Sequence, residues 1–169
     1  MIKIENYIKD IKDFPDKGVI FKDISPLLSS PKAFQEVIKE MSKHVGDADV
    51  IVSPDARGFL FGTPVAFETG KPFVMVRKPN KLPGKLISQE YDLEYGKNTL
   101  EIQEDMFKPG QKVVIIDDVL ATGGTTEAIV KLVEKQGASV TKVIFLLELG
   151  FLKGQARYNI DTKSLLVIK

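Results

Sequence analysis

Two adjacent carboxylates, Asp117 and Asp118, follow four consecutive β-branched residues, Val113-Val114-Ile115-Ile116. After Val119-Leu120 comes a run of small and hydroxyl residues, Ala121-Thr122-Gly123-Gly124-Thr125-Thr126. The apolar four predict a strand buried on both faces, the kind found in a parallel sheet, and the carboxylates fall where that strand is expected to end. Glu127 to Val133 follows, with apolar residues at 129, 130, 132 and 133 that suit a helix packed on a sheet.

This order of elements has a chemical logic. Open α/β sheets bind ligands outside the carboxyl ends of their strands. A helix start offers unpaired N–H groups and a partial positive charge, which suits a phosphate. Gly123 and Gly124 lack the Cβ atoms that would hold an anion away from the backbone, and the Thr122, Thr125 and Thr126 hydroxyls add donors. Asp117 and Asp118 would repel a phosphate. They are acceptors, suited to sugar hydroxyls or to a divalent cation beside the phosphate. Phosphate and diol together describe a ribose phosphate. No Gly-Lys-Ser/Thr follows the loop and no Gly-x-Gly-x-x-Gly occurs, which excludes the two commonest alternative phosphate loops.

Around this unit, short apolar runs alternate with helical patterns. Ile4, Ile8 and Ile11 predict a short first helix ended by Phe14-Pro15. Residues 14–28 are rich in turn formers, yet Val19, Ile20, Phe21, Ile24 and Leu27 are large and apolar and must pack on the core, a partner or a flat ligand. Ser30-Pro31 reads as N-cap and first residue of a helix that buries Phe34, Val37, Ile38, Met41 and Val45, with His44 facing solvent. Val50-Ile51-Val52 predicts a strand, Phe59 to Thr69 a helix stopped by Gly70, and Phe73 to Val76 another strand. Strands at 143–147 and 165–168 complete an α/β fold, a mainly parallel sheet of five or six strands flanked by helices. Residues 78–95 have no regular pattern, as expected of a functional lid, and Tyr91–Tyr95 with Thr99–Gln103 could form a hairpin turning at Gly96-Lys97.

Only three of the 24 basic residues are arginine, and two of them, Arg57 and Arg77, follow predicted strand ends on the edge that carries the Asp117–Thr125 loop. Either could form a surface salt bridge, but a planar fork in a lysine-rich chain favours anion binding. Composition narrows the class. The length of 169 residues suits one domain, and 43% hydrophobic with 28% charged residues is ordinary for a globular protein. A net charge of +1 gives no reason to expect nucleic acid or a membrane as partner. The absence of cysteine removes disulfides, thiolate metal sites and a cysteine nucleophile. With no signal-peptide pattern at the start, a cytoplasmic location is expected.

The run Val-Ile-Ile-Asp-Asp-Val-Leu-Ala-Thr-Gly-Gly-Thr (114–125) resembles the phosphoribosyl-pyrophosphate (PRPP) motif of type I phosphoribosyltransferases. Residues 14–28, Asp-Ala-Arg-Gly-Phe-Leu-Phe-Gly (55–62), Val-Arg-Lys-Pro-x-Lys-Leu-Pro-Gly (76–84), Leu-Glu-Tyr-Gly (93–96) and Leu-Glu-Leu (147–149) extend the resemblance over nearly the whole chain, to the adenine phosphoribosyltransferase family. Lys22, where arginine is common, and Pro79-Asn80, where a more basic pair is common, depart from it.

The resemblance implies the type I phosphoribosyltransferase fold in one domain, with a small N-terminal hood (1–30), a flexible lid (78–95) and the PRPP motif (113–126). It implies transfer of the 5-phosphoribosyl group from PRPP to adenine, giving AMP and pyrophosphate, with Mg²⁺ carried by PRPP and no direct protein ligand. By position, Ala121, Thr122, Gly123, Gly124 and Thr125 would hold the 5′-phosphate and Asp117 and Asp118 the ribose hydroxyls. Arg57 and Arg77 would grip pyrophosphate, helped by Lys78 and Lys81. Adenine would stack on Phe21 against Val119 and Leu149, its edge read by the backbone of Ile20 and Lys22. Glu94 would accept the adenine proton. A cis peptide is expected at Asp55-Ala56, and a homodimer is the expected assembly. Another purine base, or a non-catalytic PRPP sensor of the same fold, are the competing expectations; the second needs a DNA-binding segment for which this chain has neither length nor a basic face.

Overall fold

A computed structural model describes residues 2–92 and 96–169. Contacts divide the chain into two compact units, Met1–Glu40 and Met41–Lys169.

The first unit departs from the expected helix. A single 3₁₀ turn, Ile4–Tyr7, gives way to strand β1, Lys9–Lys12, which pairs antiparallel with β2, Ile20–Asp23. The isoleucine spacing fits a helix, but pairing with β2 captures residues 9–12, so tertiary context overrides local period. Ile4 is buried while Ile11 is exposed. The connection turns through Asp13 at φ 56 and Gly18 at φ 88, where the Gly18 N–H donates to Asp13 Oδ1 at 2.7 Å. Of the apolar residues that follow, Ile24 and Leu27 are buried, Phe21 is half-buried, and Val19 and Ile20 stay exposed. Helix α1, Ser25–Leu28, leads to α2, Pro31–Lys43, capped by Ser30, whose Oγ accepts from the Ala33 N–H at 3.4 Å. The buried face of α2 uses Ala33 with Val37, Ile38 and Met41; Phe34 is only half-buried, as is His44, which was expected to face solvent.

The second unit is built on a five-stranded parallel sheet. Its strands are β3 (Val50–Pro54), β4 (Phe73–Val76), β7 (Lys112–Leu120), β8 (Ser139–Leu149) and β9 (Asp161–Ile168), in the order β4-β3-β7-β8-β9. Helix α3, Phe59–Thr69, links β3 to β4 and ends at Gly70 with φ 66, the left-handed position glycine adopts freely. Helix α4, Gly124–Lys135, links β7 to β8. Alternate strand residues Val50, Val52, Val113, Ile115, Val143 and Phe145 share one core with Ile129, Leu132 and Val133 of α4. Each such fully buried side chain contributes about 1.5–3 kcal/mol by leaving water. Truncating Ile115, 0% exposed at the sheet centre, to alanine would cost about 2–5 kcal/mol.

Several strands outrun their apolar runs. β7 continues through both aspartates to Leu120, with Asp117 paired to Phe145 and Val119 to Leu147, so the carboxylates sit in the ladder rather than beyond it. β8 and β9 likewise begin among polar residues, because backbone pairing does not require an apolar side chain. The larger correction concerns residues 78–95. Leu86–Asp92 forms β5, antiparallel to β6, Lys97–Gln103, so the unpatterned stretch is confined to 78–85 among the described residues. Leu100 and Ile102 of β6 are buried in the shared core and hold the hairpin on the sheet.

Candidate active site

The site is built where β3 and β7 lie side by side. Beyond Pro54, the last residue of β3, the chain passes through a cis peptide at Asp55-Ala56 to Arg57 and Gly58 and then enters α3. Gly58 is needed for close approach: a Cβ there would lie 2.6 Å from the Pro54 carbonyl oxygen and 2.8 Å from Asp117 Oδ1. Arg57 Nη2 forms an ion pair with Asp118 Oδ2. Asp118 is 6% exposed, and its N–H donates to Asp117 Oδ1 at 2.8 Å. Burial and then the adjacent Asp118 carboxylate push the Asp117 carboxyl well above the usual carboxylate range; Arg57 opposes this more weakly.

At the end of β7 the chain turns through Gly123, at φ 83, into α4, whose first turn is Gly124-Thr125-Thr126. Thr125 and Thr126, expected in a loop, therefore belong to a helix start, whose first N–H groups have no partner within the helix, while Thr122 stays in the turn. Residues 119–126, with Asp117, enclose a cavity of about 70 Å³. An adjoining cleft of about 280 Å³ is lined by residues 54–58, Lys78, Asp117, Asp118, Thr125 and three hairpin residues, Tyr91, Asn98 and Leu100. Asp117 and Thr125 line both spaces. One is an acceptor and the other combines a hydroxyl with a helix-start N–H, so an anion and a polyol fit side by side.

The other expected residues fall in different places. Arg77 follows β4 and does not line the cleft. Its Nε donates to Asp55 Oδ2 at 2.9 Å, its Nη1 to the Lys81 carbonyl oxygen at 3.3 Å, and its guanidinium lies 5.9 Å from the centre of the Phe59 ring. Lys81 is exposed and outside the lining. Val119 lines the smaller cavity, and Leu149 is half-buried at the end of β8. In the first unit, Ile20, Phe21 and Lys22 share β2; the Phe21 and Phe14 rings pack edge to face with their centres 5.2 Å apart, and Lys22 Nζ pairs with Asp10 at 2.6 Å. Glu94 lies outside the described residues.

Tyr91, Asn98 and Leu100 were not among the expected site residues. Tyr91 and Asn98 are direct partners in the hairpin register, and Asp92 pairs with Lys97, so Lys97 belongs to β6 rather than to the expected Gly96-Lys97 turn and the pairing differs from the one that turn implies. Among the described residues, no group of three or more His, Cys, Asp or Glu side chains is arranged to hold a metal. Nor, among those residues, is any helix long and apolar enough to cross a membrane.

Comparison with known proteins agrees with this geometry. The phosphoribosyl transferase domain model matches residues 23–167. The adenine phosphoribosyltransferase of Mycoplasmopsis pulmonis is 57% identical over 168 residues, 99% of each chain, and that of Mycoplasmopsis fermentans is 63% identical over 90% of this chain and 89% of its own. Among solved structures, the Thermoanaerobacter pseudethanolicus adenine phosphoribosyltransferase superposes with TM-score 0.95 at 49% identity, covering 98% of each chain. The Saccharomyces cerevisiae enzyme, solved with adenine and an imino-altritol bisphosphate, gives TM-score 0.91 at 36% identity, covering 95% of this chain and 94% of its own. An acidic strand end beside a Gly/Thr helix start, in a sheet that matches these proteins over nearly its whole length, leaves one conclusion: the chain belongs to the adenine phosphoribosyltransferase family.

Proposed function

We propose that the chain transfers the 5-phosphoribosyl group of PRPP to adenine, releasing AMP and pyrophosphate, as a purine-salvage transferase. The observation that carries the reading is the pair of adjoining cavities with Asp117 and Thr125 in common. In the smaller, the turn 121–125 and the α4 N-terminus receive the 5′-phosphate. In the larger, Asp117 and Asp118 accept from the ribose hydroxyls, while Arg57 and Lys78 face the pyrophosphate. Arg77 acts on the same anion through the segment it orders, by holding Asp55 beside the Asp55-Ala56 peptide, with Lys81 assisting from 78–85.

Positive charge develops on C1′ as pyrophosphate leaves. The two carboxylates stabilise that centre and the cationic side chains stabilise the leaving group. Paired carboxylates are hard oxygen donors and tolerate Mg²⁺ nearby, so the residues fit a cation that arrives with PRPP. When bound, Mg²⁺ neutralises charge on the departing pyrophosphate. Adenine is assigned to Phe21, with Ile20 and Lys22 supplying backbone contacts and Val119 and Leu149 apolar ones. Its proton is assigned to Glu94. Residues 1–30 serve as the base-binding segment, and 78–85, the unpatterned part of the expected 78–95 lid, close to keep water from C1′. A homodimer in the cytoplasm completes the proposal. The support for the base assignment is the name shared by the relatives, together with adenine in the yeast structure. The test is nucleotide formation from PRPP, Mg²⁺ and each purine base in turn; AMP is the expected product, and no product from adenine would end the proposal.

A further inference from the structure

We infer that residues 150–157 brace the phosphate-binding turn, and that Gln155 and Glu148 are positioning residues for PRPP. The inference rests on assigning the 5′-phosphate to residues 121–125. Two backbone runs touch there, glycine on glycine. A Cβ on Gly123 would collide with the Gly154 carbonyl oxygen; one on Gly154 would collide with the Ala121 carbonyl oxygen and lie 3.1 Å from the Gly123 nitrogen. Gly154, the first residue of the 3₁₀ turn Gly154–Arg157, is buried. The phosphate turn therefore leans on Gly154.

Gly154 is held in turn by its neighbour. Gln155 Nε2 donates to both carboxylate oxygens of Glu148, at 2.9 and 2.8 Å, and Ser164 Oγ of β9 donates to Glu148 Oε2 at 2.7 Å. Glu148 is 6% exposed and is the register partner of Leu120, the last residue of β7 before the turn. At the far end of the segment, Arg157 Nη1 reaches Glu127 Oε2, in the first turn of α4, at 3.4 Å. The segment thus touches the turn at its middle and just beyond it. A buried carboxylate is costly unless its lone pairs are filled, and a filled one fixes the geometry of its donors. Here the donor so fixed is the residue next to the contact.

Loosening the brace leaves the turn to be ordered by the phosphate itself, which weakens PRPP without touching the base. Gln155→Met keeps the volume and removes the donors. It should raise the KM for PRPP about tenfold, a part of what the two hydrogen bonds it removes from a charged group are worth. The KM for adenine, and kcat at saturating PRPP, should stay within about twofold. Gln155→Arg restores a bidentate donor and should keep the wild-type KM for PRPP. Gly154→Ala wedges the contact from the other side and should reproduce the Gln155→Met pattern, which carries the test if Gln155→Met does not fold. Thr125→Ala serves as the reference for the site itself. If it raises the KM for PRPP while Gln155→Met and Gly154→Ala do not, the brace is wrong and the phosphate assignment stands. If all three leave it unchanged, both fall. A lower Tm and kcat with both KM values unchanged would make the segment structural only and overturn the inference.

Discussion

Arg57 and Asp118 form an ion pair between the segment after β3 and the neighbouring strand β7, with Asp117 alongside. The charges assigned to the ribose hydroxyls and to the pyrophosphate of PRPP thus compensate each other within one cleft. PRPP brings a diol for the carboxylates and a polyanion for the guanidinium, so binding exchanges one ion pair for two sets of contacts. Asp117→Asn and Asp118→Asn should each lower kcat/KM for PRPP by about ten- to a hundredfold, since a hydrogen bond to a charged group is worth about 1.5–3 kcal/mol. Steady-state kinetics with each accepted base check this, and the loss should be the same whichever base is used.

Asp117→Asn should also stabilise the fold. Burial and Asp118 raise the Asp117 pKa in the folded state, so between its unfolded value and that raised value the native chain binds more protons. The contribution of this group to stability is then fully present below the unfolded carboxylate pKa of about 3.9 and is lost as pH rises through the folded one. Urea unfolding should find Asp117→Asn more stable than wild type at neutral pH, with the difference shrinking toward pH 4. A difference independent of pH would contradict the assignment.

The sheet was legible because its central strands are unbroken apolar runs. Val113 to Ile116 could be little else, and Gly70 marked the end of α3 without ambiguity. The N-terminal strands were not legible. Ile4, Ile8 and Ile11 keep a helical period, and only the partner Ile20–Asp23 explains why Lys9–Lys12 is extended. At the site, Asp117, Asp118 and the Gly/Thr turn could be read because they are contiguous. Tyr91 and Asn98 come together only through hairpin register, and Glu148 and Gln155 only through the 3₁₀ turns that fold residues 150–157 back on the end of β8. Arg77 shows the limit from the other side: its place after a strand was correct, but its hydrogen bond to Asp55 depends on a neighbouring strand.

Amide hydrogen exchange should divide residues 78–95 into two parts. Within β5, amides paired with β6 should exchange slowly with or without PRPP, because their bonds are already made. Amides of 78–85 should slow only when PRPP is present. Exchange in 78–85 that ignores PRPP would remove the lid.

Glu94→Gln separates the chemistry from PRPP binding. If Glu94 takes the adenine proton, this substitution should lower kcat by about a hundredfold or more and leave the affinity for PRPP unchanged. The acidic limb of the pH–rate profile should disappear with it. A near-normal kcat would leave Leu-Glu-Tyr-Gly as structure alone.

The central claim is that this cleft joins a phosphoribosyl group to adenine. A single competition measures it most directly: equal concentrations of adenine, hypoxanthine, guanine and xanthine, with PRPP and Mg²⁺, and the nucleotides separated at low conversion. AMP should be the dominant product, with pyrophosphate formed in equal amount. Comparable yields of the other nucleotides, or PRPP bound with no nucleotide formed, would contradict it.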